Sequence, residues 1–209
     1  MTTSSQQVFK TVIITGGNTG LGYQCAKTIA ASGQPWHIVI ASRDTAKAAK
    51  AVEQLKSETA HEQISAMRLD LASLDSVRVF AREIAASNLP PLHAIVCNAG
   101  VHVFGKVTYT QDGFETTFGV NHLGHFLLVN LLLRSLIAPA RIVFISSGTH
   151  DPATTDGRWN PPAYHDAYQL AWPEKGGRRP LPGIRRYSTS KLCNLYCAYE
   201  LARRLEAEG

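Results

Sequence analysis

Short apolar runs alternate along the chain with longer segments in which apolar residues recur at helical spacing. The short runs are rich in β-branched residues and lie between turn-forming residues, which is typical of strands buried in a sheet. Strands are therefore predicted at residues 11–15, 37–41, 64–69, 93–97 and 141–146, and helices at residues 20–32, 45–59, 73–87 and 112–136.

This alternation predicts an α/β fold, because strands separated by helices pair in parallel through right-handed crossovers. We expect a doubly wound, Rossmann-like parallel sheet with three αβα layers, in a single domain spanning residues 1–209. Asp44 and Ser73 stand where side-chain oxygens can cap the helices that follow them. Residues 148–186 are rich in proline, glycine and aromatic residues and lack steady periodicity, which indicates a long insertion at the active site.

Charge and composition narrow the class of protein. The chain is 44% hydrophobic with a formal net charge of +5, and its charges of both signs are interspersed, which does not favour a nucleic-acid partner. The longest apolar run, near Phe126, contains Asn130 and ends at Arg134, so it is too short to span a membrane. The first ten residues have neither a basic start nor an apolar segment, so no secretory signal is predicted and the cytoplasm is the expected location.

The cysteines and the paired histidines do not predict a metal site. Four cysteines occur at low density without a CxxC pair, as expected for a reducing compartment. His122 and His125 are three residues apart but have no carboxylate or cysteine partner at suitable local spacing, so packing is expected for both.

The stretch VIITGGNTGLG, residues 12–22, places four glycines directly after a predicted strand. The strand stops at Thr15 and the next helix starts near Gly20, so a tight turn exposes backbone amides at a helix N-terminus. Partial positive charge there and the missing side chains allow a pyrophosphate to approach the backbone. The alternative is a simple tight connection without a ligand.

Four further motifs follow the glycine turn in a specific order. They are CNAG at residues 97–100, VNHLGHF at 120–126, RIVFISS at 141–147 and YSTSK at 187–191. Together with the TGxxxGxG spacing, they make the chain resemble the short-chain dehydrogenase/reductase superfamily over residues 11 to 205. Within it, DGFETTFGVNHLGHFLLV and YSTSKLCN are most similar to the branch of retinol dehydrogenases and light-dependent protochlorophyllide reductases.

Tyr187 and Lys191 are four residues apart on a predicted helix and therefore share one of its faces. A lysine ammonium beside a tyrosine stabilises the phenolate, although a ring packed beside an amine would show the same spacing. The resemblance implies that Tyr187 is the general acid/base and that Lys191 supports it and binds the nicotinamide ribose. It also implies that Ser147, in preference to Ser146, holds the substrate oxygen and that Asn121 anchors a water linked to Lys191.

The end of the second predicted strand, IVIASRD, bears on the cofactor. It has no acid for the two ribose hydroxyls of NAD(H), whereas the guanidinium of Arg43 suits a 2′-phosphate, so NADP(H) is favoured over NAD(H). Asp70 is placed against the adenine or caps a helix, and Asn98 contacts the ribose or fastens the central strands. The implied cofactor-binding residues are Thr15, Gly16, Asn18, Thr19, Gly20, Leu21, Gly22, Ser42, Arg43, Asp70, Leu71, Asn98, Ala99, Gly100, Tyr187 and Lys191.

The insertion carries aromatic and basic residues that allow two interpretations. They line a pocket for a large apolar substrate bearing an acid, or the aromatics pack the loop itself while the arginines face solvent. The residues are Trp159, Tyr164, Tyr168, Trp172, Arg178, Arg179, Arg185 and Arg186.

The predicted function is NADP(H)-dependent interconversion of a carbonyl and an alcohol on a small or lipophilic substrate. The alternatives are light-dependent reduction of a tetrapyrrole double bond and a non-catalytic NADP-binding sensor. Family members usually continue past the YxxxK helix into two more strands and a lid. We therefore expect a truncated form of an active parent, with a partner-completed enzyme and a nucleotide-binding remnant as alternatives. The strand before Ser147 is then a sheet edge that can recruit a second copy.

Overall fold

A computed structural model describes residues 8–175 and 179–208 and shows the predicted alternation of strands and helices. Arg178 and residues 1–7 lie outside the described residues. The strands form one sheet in the order β3-β2-β1-β4-β5, in which β1 pairs in parallel with β2 and β4, and β2 with β3. Their bounds are β1 Lys10–Thr15, β2 Trp36–Ser42, β3 Ile64–Arg68, β4 Leu92–Cys97 and β5 Leu136–Phe144.

The helices follow the strands as the α/β prediction requires, and four α-helices form within the segment of residues 112–171. A π-helical turn, Gly119–Leu123, joins two of them, and 3₁₀ turns occupy Leu133–Ser135 and Gly148–His150. The α-helices are α1 Gly20–Ala30, α2 Thr45–Thr59, α3 Leu74–Ala86, α4 Thr116–Phe118, α5 Gly124–Leu132, α6 Thr155–Trp159, α7 Ala167–Ala171 and α8 Gly183–Glu208.

The central strand β1 is buried on both faces, as expected for a parallel sheet covered by helices. Val12 and Ile14 alternate with Ile13 along the strand, so they lie on the opposite face of the sheet. Their face packs against α1 and α2 in one core cluster that includes Ala26 and Leu55. The Rossmann-like parallel sheet predicted from the sequence is therefore confirmed.

Both predicted helix caps are present. The Asp44 carboxylate accepts a hydrogen bond of 3.0 Å from the Lys47 amide at the start of α2. The Ser73 hydroxyl accepts a 3.3 Å hydrogen bond from the Ser76 amide at the start of α3. Each cap satisfies one amide that has no partner within the helix.

Two predicted elements are wrong in extent. The continuous helix expected over residues 112–136 is interrupted by the π-helical turn, and it ends where β5 starts. The last strand starts at Leu136 instead of residue 141 and includes Pro139. Proline lacks an amide donor and is therefore tolerated in a strand chiefly at an edge. β5 does stand last in the strand order, and most of its side chains are exposed.

The described residues group into two compact units. One comprises residues up to 69 together with 79–98 and 131–142, and it contains the sheet except for the end of β5. The other comprises residues 70–78, 99–130 and those from 143 onward, with its own small apolar cluster around Phe118, Ala171 and Cys193. The single domain stays a prediction.

None of the helices in residues 8–175 and 179–208 is long and apolar enough to cross a membrane. The same residues contain no group of three or more histidine, cysteine, aspartate or glutamate side chains that would hold a metal ion.

His122 and His125 lie in packing contacts within the second unit. The His125 ring is fully buried, and its Nδ1 bonds to the Asn121 carbonyl at 3.1 Å. His122 Nδ1 lies 3.1 Å from Asn194 Oδ1. Burial lowers the pKa of His125 to about 4, because the charged imidazolium would lose its hydration.

We predict that folding stability falls as the pH drops from about 6.5 to about 4. Over this range the unfolded chain protonates His125 while the folded protein does not, so the unfolded state is favoured by on the order of 3 kcal/mol. His125→Asn keeps a donor for the Asn121 carbonyl but removes the titration, so its stability should depend less steeply on pH. Urea unfolding between pH 4 and 7.5 measures this. The exposed His165→Asn control should match the wild-type slope, and an unchanged slope in His125→Asn would contradict the assignment.

Candidate functional site

The glycine turn in the first unit presents the start of α1 without a side-chain cap. Thr19 occupies the N-cap position but makes no capping hydrogen bond, and the first turn contains no acidic residue. Thr19 and Leu21 are exposed, whereas Asn18 is half-buried. Gly20 has a φ of 57°, a left-handed conformation that favours glycine. The first-turn amides of α1 can therefore receive an anion.

Asn98 holds the glycine turn against the end of β4. Its Nδ2 donates to the carbonyls of Thr15 and Gly16, at 2.9 and 3.4 Å. The Thr15 hydroxyl accepts from the Asn98 amide at 2.9 Å and donates to the Val96 carbonyl at 3.3 Å. Asn98 therefore fastens the central strands, which is one of its two predicted roles, and the Thr15 side chain takes part in the same contacts.

Gly22 is required by this packing. A Cβ at position 22 would lie 2.5 Å from both Asn98 Nδ2 and the Gly16 carbonyl oxygen. Neither atom can retreat without breaking the hydrogen bond between them. The glycine spacing thus keeps α1 close to the turn and its amides accessible.

Two predicted cofactor residues, Ser42 and Arg43, lie at the end of β2 and directly after it. Ser42 is buried, and its hydroxyl accepts a 3.3 Å hydrogen bond from the Asp44 amide. Arg43 is exposed. An exposed guanidinium directly after a strand of this sheet can form a charge-assisted pair with a phosphate group.

Asp70 and Leu71, in the second unit, both have structural partners. The buried Asp70 carboxylate accepts a 3.0 Å hydrogen bond from the Ala72 amide in the turn before α3. This contact closes the turn, whereas the helix cap of α3, the predicted alternative for Asp70, is made by Ser73. Leu71 is buried, and its carbonyl oxygen would lie 2.7 Å from a Cβ at Gly124. Adenine binding by either residue stays a prediction.

Tyr187 and Lys191 lie one turn apart in α8, as predicted. Lys191 is only 3% exposed, and its Nζ donates a 3.0 Å hydrogen bond to the Ile145 carbonyl. The same Nζ lies 5.6 Å from the centroid of the half-buried Tyr187 ring. Burial lowers the pKa of Lys191, since the ammonium is removed from water.

Asn121 and Gly100 are brought to the same place as Lys191. The Asn121 Oδ1 accepts from the Val101 amide at 2.7 Å, and its Nδ2 donates to the Val101 carbonyl and to Ser190 Oγ, both at 3.0 Å. A Cβ at Gly100 would lie 3.3 Å from Asn121 Oδ1 and 3.5 Å from Lys191 Nζ. Glycine therefore leaves room for Asn121 Oδ1 beside the segment after Asn98, which includes the half-buried Ala99.

The two serines after β5 have different partners. Ser146 Oγ donates a 3.0 Å hydrogen bond to the Lys191 carbonyl. Ser147 Oγ accepts from the Thr149 hydroxyl at 3.1 Å and caps the 3₁₀ turn that follows. Ser146 is therefore committed to fastening α8, which agrees with the preference for Ser147 as the substrate-binding hydroxyl.

His102, which the sequence analysis does not single out, contacts the candidate catalytic tyrosine. Its ring stacks on the Tyr187 ring with centroids 4.5 Å apart and an interplanar angle of 18°. Burial, together with the positive charge of Arg186, lowers the pKa of His102. No local spacing connects residues 102 and 187, so only the position of His102 just after CNAG could have pointed to the site.

Some aromatic side chains of the insertion are packed and others are exposed. Trp172 packs on Phe114 with ring centroids 5.1 Å apart, whereas Trp159 is 79% exposed. The interpretation in which the arginines face solvent is wrong for Arg186. Arg186 is buried in an ion pair with Glu115, because this arginine has main-chain and carboxylate partners that compensate its lost hydration.

Comparisons with known proteins agree with the geometry. The human WW domain-containing oxidoreductase is 39% identical over 96% of this chain and 46% of its own length. Mouse retinol dehydrogenase 12 is also 39% identical, over the whole chain and 60% of its own length. Rice protochlorophyllide reductase A is 39% identical over 94% of the chain and 54% of its own length. The chain thus spans 46 to 60% of the length of these relatives.

A solved structure of an uncharacterized protein from Mycobacterium paratuberculosis shares the fold. It superposes with a TM-score of 0.74 at 36% identity and covers 95% of this chain and 63% of its own. Residues 10–155 match the short chain dehydrogenase family. With the sheet, the glycine turn and the Tyr187–Lys191 helix in place, the chain belongs to the short-chain dehydrogenase family.

Proposed function

We propose that the protein is an NADP(H)-dependent oxidoreductase that interconverts a carbonyl and an alcohol on a small or lipophilic substrate. The family binds nicotinamide cofactors. One observation carries the proposal for the reaction: the buried Lys191 ammonium lies one helical turn from Tyr187 and beside Asn121. A buried ammonium at this position stabilises a phenolate. Packing alone would not require a charged group here.

Four polar side chains of the second unit have proposed roles in the reaction. Tyr187 donates its proton to the substrate oxygen on reduction and accepts it on oxidation, and the Lys191 charge stabilises the phenolate that forms. The Ser147 hydroxyl holds the substrate oxygen, and Asn121 anchors a water that connects Lys191 to solvent. A nicotinamide cofactor held there would supply the hydride for reduction or accept it on oxidation.

The residues of the first unit fit the phosphate groups of the cofactor. The amides of residues 16–22 would bind the diphosphate, because the first turn of α1 has no side-chain cap and Gly22 leaves its backbone accessible. Arg43 would bind the 2′-phosphate that distinguishes NADP(H) from NAD(H). Two residues of the second unit, Asp70 and Gly100, are proposed to contact the adenine and the ribose.

We predict that Tyr187→Phe reduces turnover about 100- to 10,000-fold, because the substrate oxygen loses its proton donor. Binding of NADPH, measured by the fluorescence of the reduced nicotinamide, should change by less than about twofold. Turnover is followed by the loss of nicotinamide absorbance with aldehyde and ketone substrates.

Tyr199→Phe is the matched control, because Tyr199 lies on the same helix with 69% of its surface exposed. It should leave turnover at the wild-type value. Full activity in Tyr187→Phe would remove Tyr187 from the mechanism.

We predict that Arg43→Ala weakens NADPH binding about 10- to 100-fold, because a charge-assisted hydrogen bond to the 2′-phosphate is lost. NADH has no such phosphate, so its affinity should stay within about twofold. Fluorescence titration of both cofactors measures the difference. Arg141→Ala removes an exposed arginine from β5 and should affect neither cofactor. Equal losses for NADH and NADPH in Arg43→Ala would refute the 2′-phosphate contact.

The substrate class is tested separately. The relatives named for retinol and for protochlorophyllide are equally similar at 39%, so identity does not choose between their substrates. Oxidation of NADPH in the dark by retinaldehyde or other lipophilic carbonyls supports the proposal. Turnover that requires protochlorophyllide and light supports double-bond reduction. NADPH binding without turnover of any of these supports a sensor.

A further inference from the structure

We infer that the buried ion pair between Arg186 and Glu115 positions Tyr187 and Asn121 for the reaction, an inference that rests on the proposed function. Arg186 directly precedes Tyr187 in the chain. Its Nε donates to Glu115 Oε1 at 3.0 Å, and the two side chains are only 6% and 2% exposed. The pair is therefore shielded from water at the start of the helix that carries Tyr187.

The Arg186 guanidinium also ties the loop after CNAG to the start of α8. Its Nη1 donates to the Leu181 carbonyl at 2.7 Å, and its Nη2 donates to the carbonyls of Val103 and Gly105 at 3.2 and 3.3 Å. Val103 is the neighbour of His102, whose ring stacks on Tyr187. One guanidinium thus holds both the tyrosine backbone and the segment that bears its stacking partner.

Glu115 connects the same pair to Asn121. Its second carboxylate oxygen, Oε2, accepts a 2.7 Å hydrogen bond from the Phe118 amide and caps α4. The π-helical turn that contains Asn121 follows α4 directly. Moving the carboxylate would therefore move the start of the segment that brings the Asn121 amide to Val101 and Ser190.

The geometry of the pair depends on both residue types. A guanidinium presents a planar fork of donors in fixed directions, and a lysine ammonium cannot reach the same carbonyls simultaneously. A glutamine at position 115 has one oxygen for two donors, so either Arg186 or the Phe118 amide would face its NH₂ group. A cavity of about 30 Å³ lined by the pair and Leu181 has room for a water beside the Leu181 residue. Arg186→Lys should therefore still fold.

The test uses Glu115→Gln and Arg186→Lys in protein labelled with ¹³C at the ζ carbon of tyrosine. The Tyr187 resonance is identified by its absence from the spectrum of Tyr187→Phe. We expect both variants to shift or broaden that resonance and to reduce turnover about 100-fold, because a small misplacement of a reacting group has this effect. NADPH affinity should change by less than about twofold, because the proposed contacts to its diphosphate and 2′-phosphate lie in the first unit.

Two controls separate positioning from stability. Glu200→Gln makes the same chemical change in an exposed ion pair with Arg203 and Arg204 on the same helix. It should leave the Tyr187 resonance unchanged. Leu55→Ala creates a cavity in the core of the first unit and should lower the unfolding temperature without shifting that resonance.

The inference is overturned if Glu115→Gln and Arg186→Lys lower the unfolding temperature but leave the Tyr187 resonance in place. It is also overturned if Leu55→Ala shifts the resonance equally, or if neither variant folds, because the pair would then serve the fold alone. A shifted Tyr187 resonance in a protein that turns over no substrate would refute the proposed function but not the placement of Tyr187 by the pair.

Discussion

The burial of the Lys191 ammonium is the constraint on which the candidate site depends. A charged amine with 3% exposure needs a hydrogen-bond partner, and the Ile145 carbonyl supplies it. Ser146 returns a second hydrogen bond to the Lys191 carbonyl. These two contacts hold the segment that leads to Ser147 against α8. Gly100 lies beside the same ammonium, and a Cβ there would lie only 3.3 Å from Asn121 Oδ1.

The glycine turn of the first unit is also held by hydrogen bonds from a side chain to main-chain carbonyls. The Asn98 side-chain amide donates to the carbonyls of Thr15 and Gly16, so the turn keeps its shape through contacts within the fold. Gly22 completes this arrangement because no Cβ fits between Asn98 and Gly16. A turn organised in advance in this way binds an anion with little ordering of the backbone.

Buried polar side chains also hold the irregular helical segment that carries Asn121. The Asn121 amide pairs with both main-chain groups of Val101, as a neighbouring strand would, and it also reaches Ser190. Glu115 caps the preceding turn while pairing with Arg186. The π-helical turn therefore lies in a segment held by buried polar side chains.

Local spacing in the sequence was sufficient for the main elements. Runs of β-branched residues predicted the strands, Asp44 and Ser73 predicted two helix starts, and the spacing of Tyr187 and Lys191 predicted their shared face. Each of these signals acts over a few residues, through backbone geometry or the helical repeat. Only the tertiary structure decided that β5 begins before Pro139 and that the helix over residues 112–136 is broken. The pairing of Arg186 with Glu115, 71 residues away, and the stacking of His102 on Tyr187 were likewise decided there. The partners of a buried polar group depend on which distant segments come together in the fold. A local sequence pattern does not predict these long-range contacts.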